Sequence, residues 1–171
     1  MSKRREVKNR NIILIGMPGS GKSTIGVVLA KSLGYNFIDS DIVIQEKLGR
    51  RLWEVIDSVG KDEFNRIEGE INCDIDPELA VISTGGSAIY SEKAMKHFKN
   101  IGTVVFLDVD LKIIKRRLGD LKRRGISMKE GETIEDIYRE RINLYRKYAD
   151  IIFKPQAFSI KDNVEAIKAL F

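Results

Sequence analysis

Cysteine, histidine and proline are all scarce in this sequence of 171 residues. Cys73 is the one cysteine, which excludes an internal disulfide and a multi-cysteine zinc site. His97 is the one histidine, which argues against a histidine-rich metal site and a Ser-His-Asp triad. Three prolines and the lack of polar tracts argue against extended disorder. The remaining composition, 43% hydrophobic and 32% charged, is typical of a single globular domain of this length.

Long hydrophobic runs are missing as well. No stretch approaches 18 apolar residues, so we expect no membrane-spanning helix. The basic start of the chain leads into only four apolar residues, 12–15, which is too short for the apolar region of a signal peptide. These two absences predict a cytoplasmic protein.

The positive charge is concentrated at one end of the chain. The net charge is +5, of which residues 1–10 carry +4, so that the other 161 residues are nearly neutral. A nucleic-acid-binding protein is expected to show a basic face across its body. The favoured interpretation of 1–10 is therefore a solvated terminal tail, with nucleic-acid binding as the alternative.

What the sequence does contain is a regular alternation of short apolar runs and helical patterns. The predicted strands are 11–15, 35–38, 79–83, 103–107 and 150–153. The predicted helices are 23–33, 42–48, 52–59, 61–72, 92–98, 111–118, 134–148 and 160–171. This alternation is typical of an α/β fold in which a parallel sheet is covered by helices on both faces.

Residues 16–23 carry the most specific motif. They read Gly-Met-Pro-Gly-Ser-Gly-Lys-Ser and match G-x-x-x-x-G-K-[ST] without a mismatch, between a predicted strand and a predicted helix. Glycines allow the backbone amides to turn toward phosphate oxygens, and the helix adds the positive end of its dipole. Lys22 can reach the β- and γ-phosphates, and Ser23 can ligate Mg²⁺.

A phosphate-binding loop alone leaves several functions open, namely a kinase, a switch GTPase or a motor. The chain has little room for a motor domain, and it lacks an Asn-Lys-x-Asp stretch that would read guanine. These observations favour a kinase, which needs further groups at the neighbouring strand ends.

Two carboxylates follow the second predicted strand. Asp39 and Asp41 are expected to face the same way in an extended segment, beside the phosphate loop that follows the first strand. Such a pair can hold a hydrated Mg²⁺ and accept a hydroxyl proton. The alternative is that Asp41 is only the N-cap of a helix that begins at Ile42.

Two later stretches also point to a ligand. Residues 83–87, Ser-Thr-Gly-Gly-Ser, lie at the end of the third predicted strand. The paired glycines would let a ligand approach the backbone; the alternative is that they form a plain turn.

The basic stretch 112–129 runs into a polar, glycine-containing loop that carries Arg123 and Arg124. A mobile loop with arginines is what the lid of a phosphoryl-transfer enzyme requires.

Taken together, these motifs resemble the shikimate kinases. The resemblance is carried, in chain order, by 16–24, Asp39-Ser40-Asp41, Phe64 with Arg66-Ile67-Glu68, Thr84-Gly85-Gly86, Arg117, Arg124, and Arg141 with Leu144-Tyr145. It implies a P-loop NTPase fold of the nucleoside-monophosphate-kinase type, a three-layer α/β/α structure with a five-stranded parallel sheet in the order 2-3-1-4-5. It also implies one kinase domain over 11–171, with a substrate-binding region near 42–72 and a lid near 119–132.

The same resemblance implies a role for each matching residue. Asp41 would bind the acceptor hydroxyls and act as base, Lys22 and Arg124 would complete the catalytic set, and Asp39 would support Mg²⁺ on Ser23 through water. The implied ATP-binding residues are Gly19, Ser20, Gly21, Lys22, Ser23, Thr24, Arg117 and Arg124. The implied acceptor-binding residues are Asp41, Asn65, Gly85, Gly86, Ser87 and Arg141. The expected partner is a small molecule, and the expected state is a monomer.

Three positions depart from the family pattern. The family has an arginine that clamps the shikimate carboxylate where this chain has Asn65, a glycine where it has Ser87, and a lid proline where it has Gly125. Arg66 is the next residue, but on a helix its side chain points about 100° away from that of residue 65.

Three functions follow as hypotheses: a shikimate kinase, a related kinase with another hydroxylated acceptor, and a nucleotide-binding regulatory domain without transfer activity.

Overall fold

A parallel sheet forms the centre of the computed structural model, which describes residues 10–118, 125–156 and 159–171. Within these residues the sheet has five strands in the order β2-β3-β1-β4-β5, all paired in parallel. The strands are β1 (Asn11–Ile15), β2 (Asn36–Asp39), β3 (Ala80–Ser83), β4 (Gly102–Leu107) and β5 (Ile151–Phe153). The predicted α/β class and the implied strand order are both confirmed.

Helices connect the strands, close to where the sequence predicts them. They are α1 (Lys22–Leu33), α2 (Ser40–Leu48), α3 (Leu52–Val59), α4 (Lys61–Cys73), α5 (Glu92–Ile101), α6 (Leu111–Arg117), α7 (Ile134–Tyr148) and α8 (Ile160–Lys168), with a 3₁₀ turn at Ala88–Tyr90. The predicted capping of α7 is confirmed, since the Thr133 hydroxyl accepts from the Asp136 amide. The last helix ends at Lys168 and not at residue 171.

The sheet is buried on both faces because successive strand residues point to opposite sides. Ile13 and Ile15 of β1 face one core, and Ile12 and Leu14 face the other. The first core is completed by buried side chains of α5, α6 and α7. The second core is completed by α1 and α8. The result is the three-layer arrangement that the sequence predicts.

Helices α2, α3 and α4 enclose a small core of their own, separate from the two sheet cores. Its buried members are Ile44, Leu52, Val55, Ile56, Phe64 and Ile71. This unit coincides with the predicted acceptor-binding region near 42–72 and follows directly from the end of β2.

Part of the predicted architecture falls outside the described residues. This applies to the basic tail through residue 9, and to Arg123 and Arg124 in the predicted lid.

Among the helices of the described ranges, none combines the length and apolar character that crossing a membrane would need.

Candidate active site

The carboxyl ends of β1, β2 and β3 open into one cavity of about 350 Å³. This volume suits a small ligand. The cavity is lined by Pro18, Gly19, Gly21, Lys22, Ser23, Thr24, Asp41, Phe64, Thr84, Gly85, Gly86, Ser87, Leu118, Gly125, Ile126, Ser127 and Arg141. The phosphate-binding loop, the second carboxylate, the paired glycines and the predicted carboxylate-binding arginine therefore share one site.

The loop between β1 and α1 has the geometry of a phosphate cradle. Gly19 and Gly21 take φ angles of 78° and 93°, which only glycine adopts readily. Lys22, 7% exposed, donates from Nζ to the carbonyls of Gly16 at 2.8 Å and Met17 at 2.9 Å. Burial lowers the pKa of Lys22 to about 8. An anion beside this ammonium would favour its charged form and take the place of the carbonyl contacts.

Ser23 and Asp39 form the oxygen-rich corner of the site. The Ser23 hydroxyl donates to Asp39 Oδ2 at 2.7 Å and lies 3.2 Å from the Ser83 hydroxyl. No group of three or more His, Cys, Asp or Glu side chains that could hold a metal occurs among the described residues. A hydroxyl and one carboxylate nevertheless fit Mg²⁺, because this ion keeps several waters and takes its other ligands from substrate phosphates.

The prediction of an extended Asp39–Asp41 segment is wrong, and so is the alternative that Asp41 caps a helix. The strand ends at Asp39, whose Oδ1 accepts from the Asp41 amide at 3.0 Å and thereby caps α2. Asp41 lies in the first turn of α2 and lines the cavity. Burial, together with the charge of Asp39, raises the pKa of Asp41 to about 6, so this carboxylate is ionised but basic at neutral pH.

Gly85 and Gly86 leave space that side chains would fill. A Cβ on Gly85 would lie 2.5 Å from Glu68 Oε1 and 2.7 Å from Asp41 Oδ1. A Cβ on Gly86 would lie 2.8 Å from Pro18 and 3.0 Å from Arg141 Nη1. The hypothesis of a plain turn does not account for these approaches, which make the glycine pair part of the site.

Replacing Gly85 with alanine is therefore expected to disturb the acceptor half of the cavity. The new methyl group would displace Asp41 or Glu68, and a shift of about 1 Å at an active site can lower kcat/KM about 100-fold. Nucleotide affinity should stay unchanged, and isothermal titration with an ATP analogue measures it. Gly34→Ala, at the end of α1, is the control for a glycine replaced away from the cavity, because its φ of 71° strains the backbone without bringing a side chain to the site. Equal effects of the two variants on kcat/KM would contradict this expectation.

Arg141 is the second cation of the cavity, and it is fully buried. Its Nε donates to the Tyr90 hydroxyl at 3.2 Å, and its Nη2 donates to the Ser127 carbonyl at 2.7 Å. Tyr145, one turn later on α7, donates its hydroxyl to the Gly86 carbonyl at 2.6 Å. A buried arginine with a fixed geometry is suited to bind a carboxylate group of a ligand.

Glu68 is a buried residue beside this cavity to which sequence reasoning assigned no role. It is 1% exposed, its Oε2 accepts from the Ser87 hydroxyl, and its Oε1 lacks a hydrogen-bond partner among the described residues. Burial and the nearby charge of Asp41 raise the pKa of Glu68 to about 8, against the opposing effects of Ser87, Arg141 and Lys22. The sequence signals were its place in the Arg66-Ile67-Glu68 stretch that carries the resemblance and its helical spacing from Phe64, which puts it on the same face of α4.

Because the folded state holds a proton on Glu68 that the unfolded chain releases above its usual pKa of 4.5, stability is expected to fall as the pH rises toward 8. Glu68→Gln removes this dependence. The free energy of unfolding of the variant should exceed that of the parent by an amount that grows between pH 5 and pH 8, on the order of 3 kcal/mol. Urea unfolding at several pH values measures it, and Glu70→Gln, exposed on the same helix, is the control. A difference that is independent of pH would contradict the assigned proton.

The other predicted residues divide into those at the cavity and those beside it. Gly19, Gly21, Ser23, Thr24 and Ser87 line it. Ser20 is buried within the phosphate loop, and its amide donates to the Met17 carbonyl at 3.1 Å. Arg117 donates to the Gly19 carbonyl at 3.1 Å, beside the loop.

Asn65 does not line this cavity. Its Oδ1 accepts from the Ser127 hydroxyl at 2.8 Å, and it borders a neighbouring cavity. Arg66 is exposed and pairs with Glu63 and Glu70, as its position on the helix predicts. Gly125 takes a φ of 64°, which proline cannot adopt, and a Cβ there would lie 2.7 Å from Leu52.

Comparison with known proteins places this geometry in a family. The family model described as shikimate kinase matches residues 18–170. The shikimate kinase of Clostridium botulinum is 39% identical over 142 residues, which cover 82% of this chain and 84% of that protein.

Solved structures agree with the sequence match. Shikimate kinase from Acinetobacter baumannii in complex with shikimate superposes with a TM-score of 0.87 at 28% identity, over 98% of this chain and 95% of that one. Shikimate kinase from Aquifex aeolicus superposes with a TM-score of 0.79 at 33% identity, over 93% and 94%. With the family model matched over nearly the whole chain and the same fold around the cavity, this protein belongs to the shikimate kinase family.

Proposed function

We propose that this protein transfers the γ-phosphoryl group of ATP to a hydroxyl of shikimate. The observation that carries the proposal is that one cavity joins the phosphate-binding loop with Lys22 to the carboxylate of Asp41 and the buried guanidinium of Arg141. These are the groups needed to bind a triphosphate, activate a hydroxyl and hold a carboxylate. The family and the relative with bound shikimate support the choice of acceptor.

In the proposed reaction the acceptor hydroxyl attacks the γ-phosphorus in line with the bridging oxygen. A bond forms between the hydroxyl oxygen and phosphorus, the bond from phosphorus to the bridging oxygen breaks, and ADP leaves with that electron pair. Asp41, ionised at neutral pH, takes the hydroxyl proton and later passes it to solvent. Lys22 and the loop amides neutralise the charge that develops on the phosphate oxygens.

Two residues fit the Mg²⁺ that such a reaction uses. Ser23 would ligate it through its hydroxyl, and Asp39 would hold it directly or through water. Bound there, Mg²⁺ would offset the negative charge of the phosphate oxygens. The capping hydrogen bond from the Asp41 amide fixes the Asp39 carboxylate relative to the backbone at the start of α2.

The acceptor would lie between the glycine pair and Arg141. Gly85 and Gly86 allow its ring to approach the backbone, and Ser87 offers a hydroxyl that Glu68 orients. Arg141 would bind the carboxylate. Arg124, which the family resemblance identifies as the lid arginine, lies outside the described residues.

The test is ADP release from ATP and Mg²⁺ with and without shikimate, followed with a coupled assay. We expect shikimate-dependent release that saturates below about 1 mM shikimate, in the usual range of KM values. Release that does not depend on shikimate, or that rises only at tens of millimolar, would overturn the proposed acceptor.

One observation favours a second candidate, a kinase for another hydroxylated acid. Where the family has an arginine, Asn65 accepts a hydrogen bond from Ser127. Where the family has a glycine, Ser87 adds a hydroxyl to the cavity, so the acceptor end differs from the family pattern. In that case Asn65→Arg combined with Ser87→Gly should raise kcat/KM for shikimate well above that of the parent. A panel of hydroxy acids in the same assay would identify the preferred acceptor of the parent protein.

A further inference from the structure

We propose that Asn65 is a positioning residue, which acts on the acceptor site through Ser127 and does not touch the acceptor itself. This inference deepens the proposed function and rests on it, because it concerns how the same cavity binds a carboxylate-bearing acceptor. It assigns Ser127, to which neither sequence reasoning nor the family resemblance gave a role, to the wall of the acceptor site.

The position of Asn65 supports an indirect role. Asn65 lies on the second turn of α4 and borders a second cavity. The charged residues that line it are Lys61, Asp62, Arg66, Glu70, Lys93, Lys129 and Glu140. The cavity that contains Lys22 and Asp41 is lined at this end by Ser127. The short Asn65 side chain is therefore separated from the acceptor by Ser127.

Ser127 is held from two sides. Its hydroxyl donates to Asn65 Oδ1 at 2.8 Å, and its carbonyl accepts from Arg141 Nη2 at 2.7 Å. Ser127 is 2% exposed, so water could not replace the partners of its hydroxyl and carbonyl groups if these bonds were lost. The two bonds fix residues 125–127 next to the guanidinium that would bind the acceptor carboxylate.

Loss of the Asn65–Ser127 bond should therefore loosen one wall of the acceptor site. Asn65→Ala leaves the buried Ser127 hydroxyl without its acceptor atom, and we expect the KM for shikimate to rise about tenfold. The KM for ATP should not change, because Ser127 bonds to Asn65 and Arg141, at the acceptor end of the cavity.

A charged variant separates the indirect role from a direct one. Asn65→Asp keeps an oxygen that accepts from Ser127, and its charge would face a neighbouring cavity lined by basic side chains and by the carboxylates of Asp62, Glu70 and Glu140. If Asn65 acts through Ser127, Asn65→Asp should have a lower KM for shikimate than Asn65→Ala. If Asn65 binds the acceptor carboxylate directly, repulsion between like charges should give Asn65→Asp the higher KM.

Ser127→Ala tests the same bond from its other end. We expect its KM for shikimate to rise as much as that of Asn65→Ala, and the double variant to show no further rise, because both changes remove one interaction. Asn100→Ala, at an exposed asparagine of α5, is the matched control and should leave both KM values unchanged.

A readout that needs no turnover is available from Trp53, the only tryptophan of the chain. Trp53 is 42% exposed and borders a cavity together with Gly125, Ile126 and Met128. If Asn65 fixes residues 125–127, acrylamide should quench Trp53 fluorescence more strongly in Asn65→Ala and Ser127→Ala than in the parent. Asn65→Asp should remain close to the parent.

The outcomes distinguish this inference from the proposed function. If the parent shows no shikimate-dependent ADP release, the proposed function fails, and the quenching data alone then decide whether Asn65 fixes residues 125–127. The inference is overturned by a higher KM in Asn65→Asp than in Asn65→Ala, by additive effects in the double variant, or by quenching that is the same in all variants.

Discussion

Replacing Lys22 with alanine is expected to lower kcat about a thousandfold or more and to weaken ATP binding. Lys22 is the one charged side chain of the phosphate loop, and its Nζ lies within 2.9 Å of the carbonyls of Gly16 and Met17, at the place where the phosphates would bind. Without it, the charge that develops during transfer loses its nearest cation. Steady-state kinetics and titration with a non-hydrolysable ATP analogue measure the two effects.

Lys31→Ala is the matched control for Lys22→Ala. Lys31 lies on the same helix, in its last turn, and its side chain is exposed. This variant should keep kcat and ATP affinity close to those of the parent protein. A Lys22→Ala variant with more than a tenth of the parent kcat would show that the loop does not bind the transferred phosphate as described.

Asp41→Asn is expected to lower kcat by 10²- to 10⁴-fold, the usual contribution of a general base, while sparing ATP affinity. The substitution preserves the size of the side chain and removes the carboxylate that would take the hydroxyl proton. Asp41 lines the cavity from the first turn of α2, and the buried Glu68 lies beside it across Gly85. Stopped-flow and steady-state assays with saturating ATP would isolate the effect on the chemical step.

The control for this variant is Asp76→Asn, at an exposed position in the connection to β3. It should leave both kcat and ATP affinity unchanged. Near-parent activity of Asp41→Asn would show that another group takes the proton, and weakened ATP binding would show that Asp41 belongs to the nucleotide half of the site.

Much of the fold follows from local sequence signals. The strand before the phosphate loop is a run of four isoleucine and leucine residues bounded by a glycine, and the loop motif marks the start of α1. Thr133 with Asp136 marks the start of α7 in the same way. Each of these signals lies within a few residues of the feature it predicts, which is why it could be interpreted without tertiary structure.

The start of α2 shows where local signals are insufficient. Asp39 and Asp41 are two residues apart, and either can cap a helix. In the structure Asp39 is the cap: its Oδ1 accepts from the Asp41 amide and its Oδ2 accepts from the Ser23 hydroxyl. Ser23 is brought near Asp39 only by the packing of α1 against the sheet. The helix therefore begins at Ser40, two residues earlier than predicted.

The partners of Glu68, Asn65 and Ser127 depend on contacts between distant parts of the chain. Glu68 meets Ser87, and Asn65 meets Ser127, across separations of 19 and 62 residues. Helical periodicity identifies the face of α4 on which Asn65 and Glu68 lie, yet it gives no information on the segment that covers that face. These two contacts at the acceptor end of the site therefore became visible only in the folded chain.

The central claim is tested most directly by following the phosphorus atoms of ATP with ³¹P NMR in the presence of Mg²⁺ and shikimate. The proposed function predicts that one phosphomonoester resonance appears for each ADP formed, with no inorganic phosphate. Inorganic phosphate in place of the ester would show that water is the acceptor. ATP that remains unchanged would show that the protein does not transfer the phosphoryl group to shikimate.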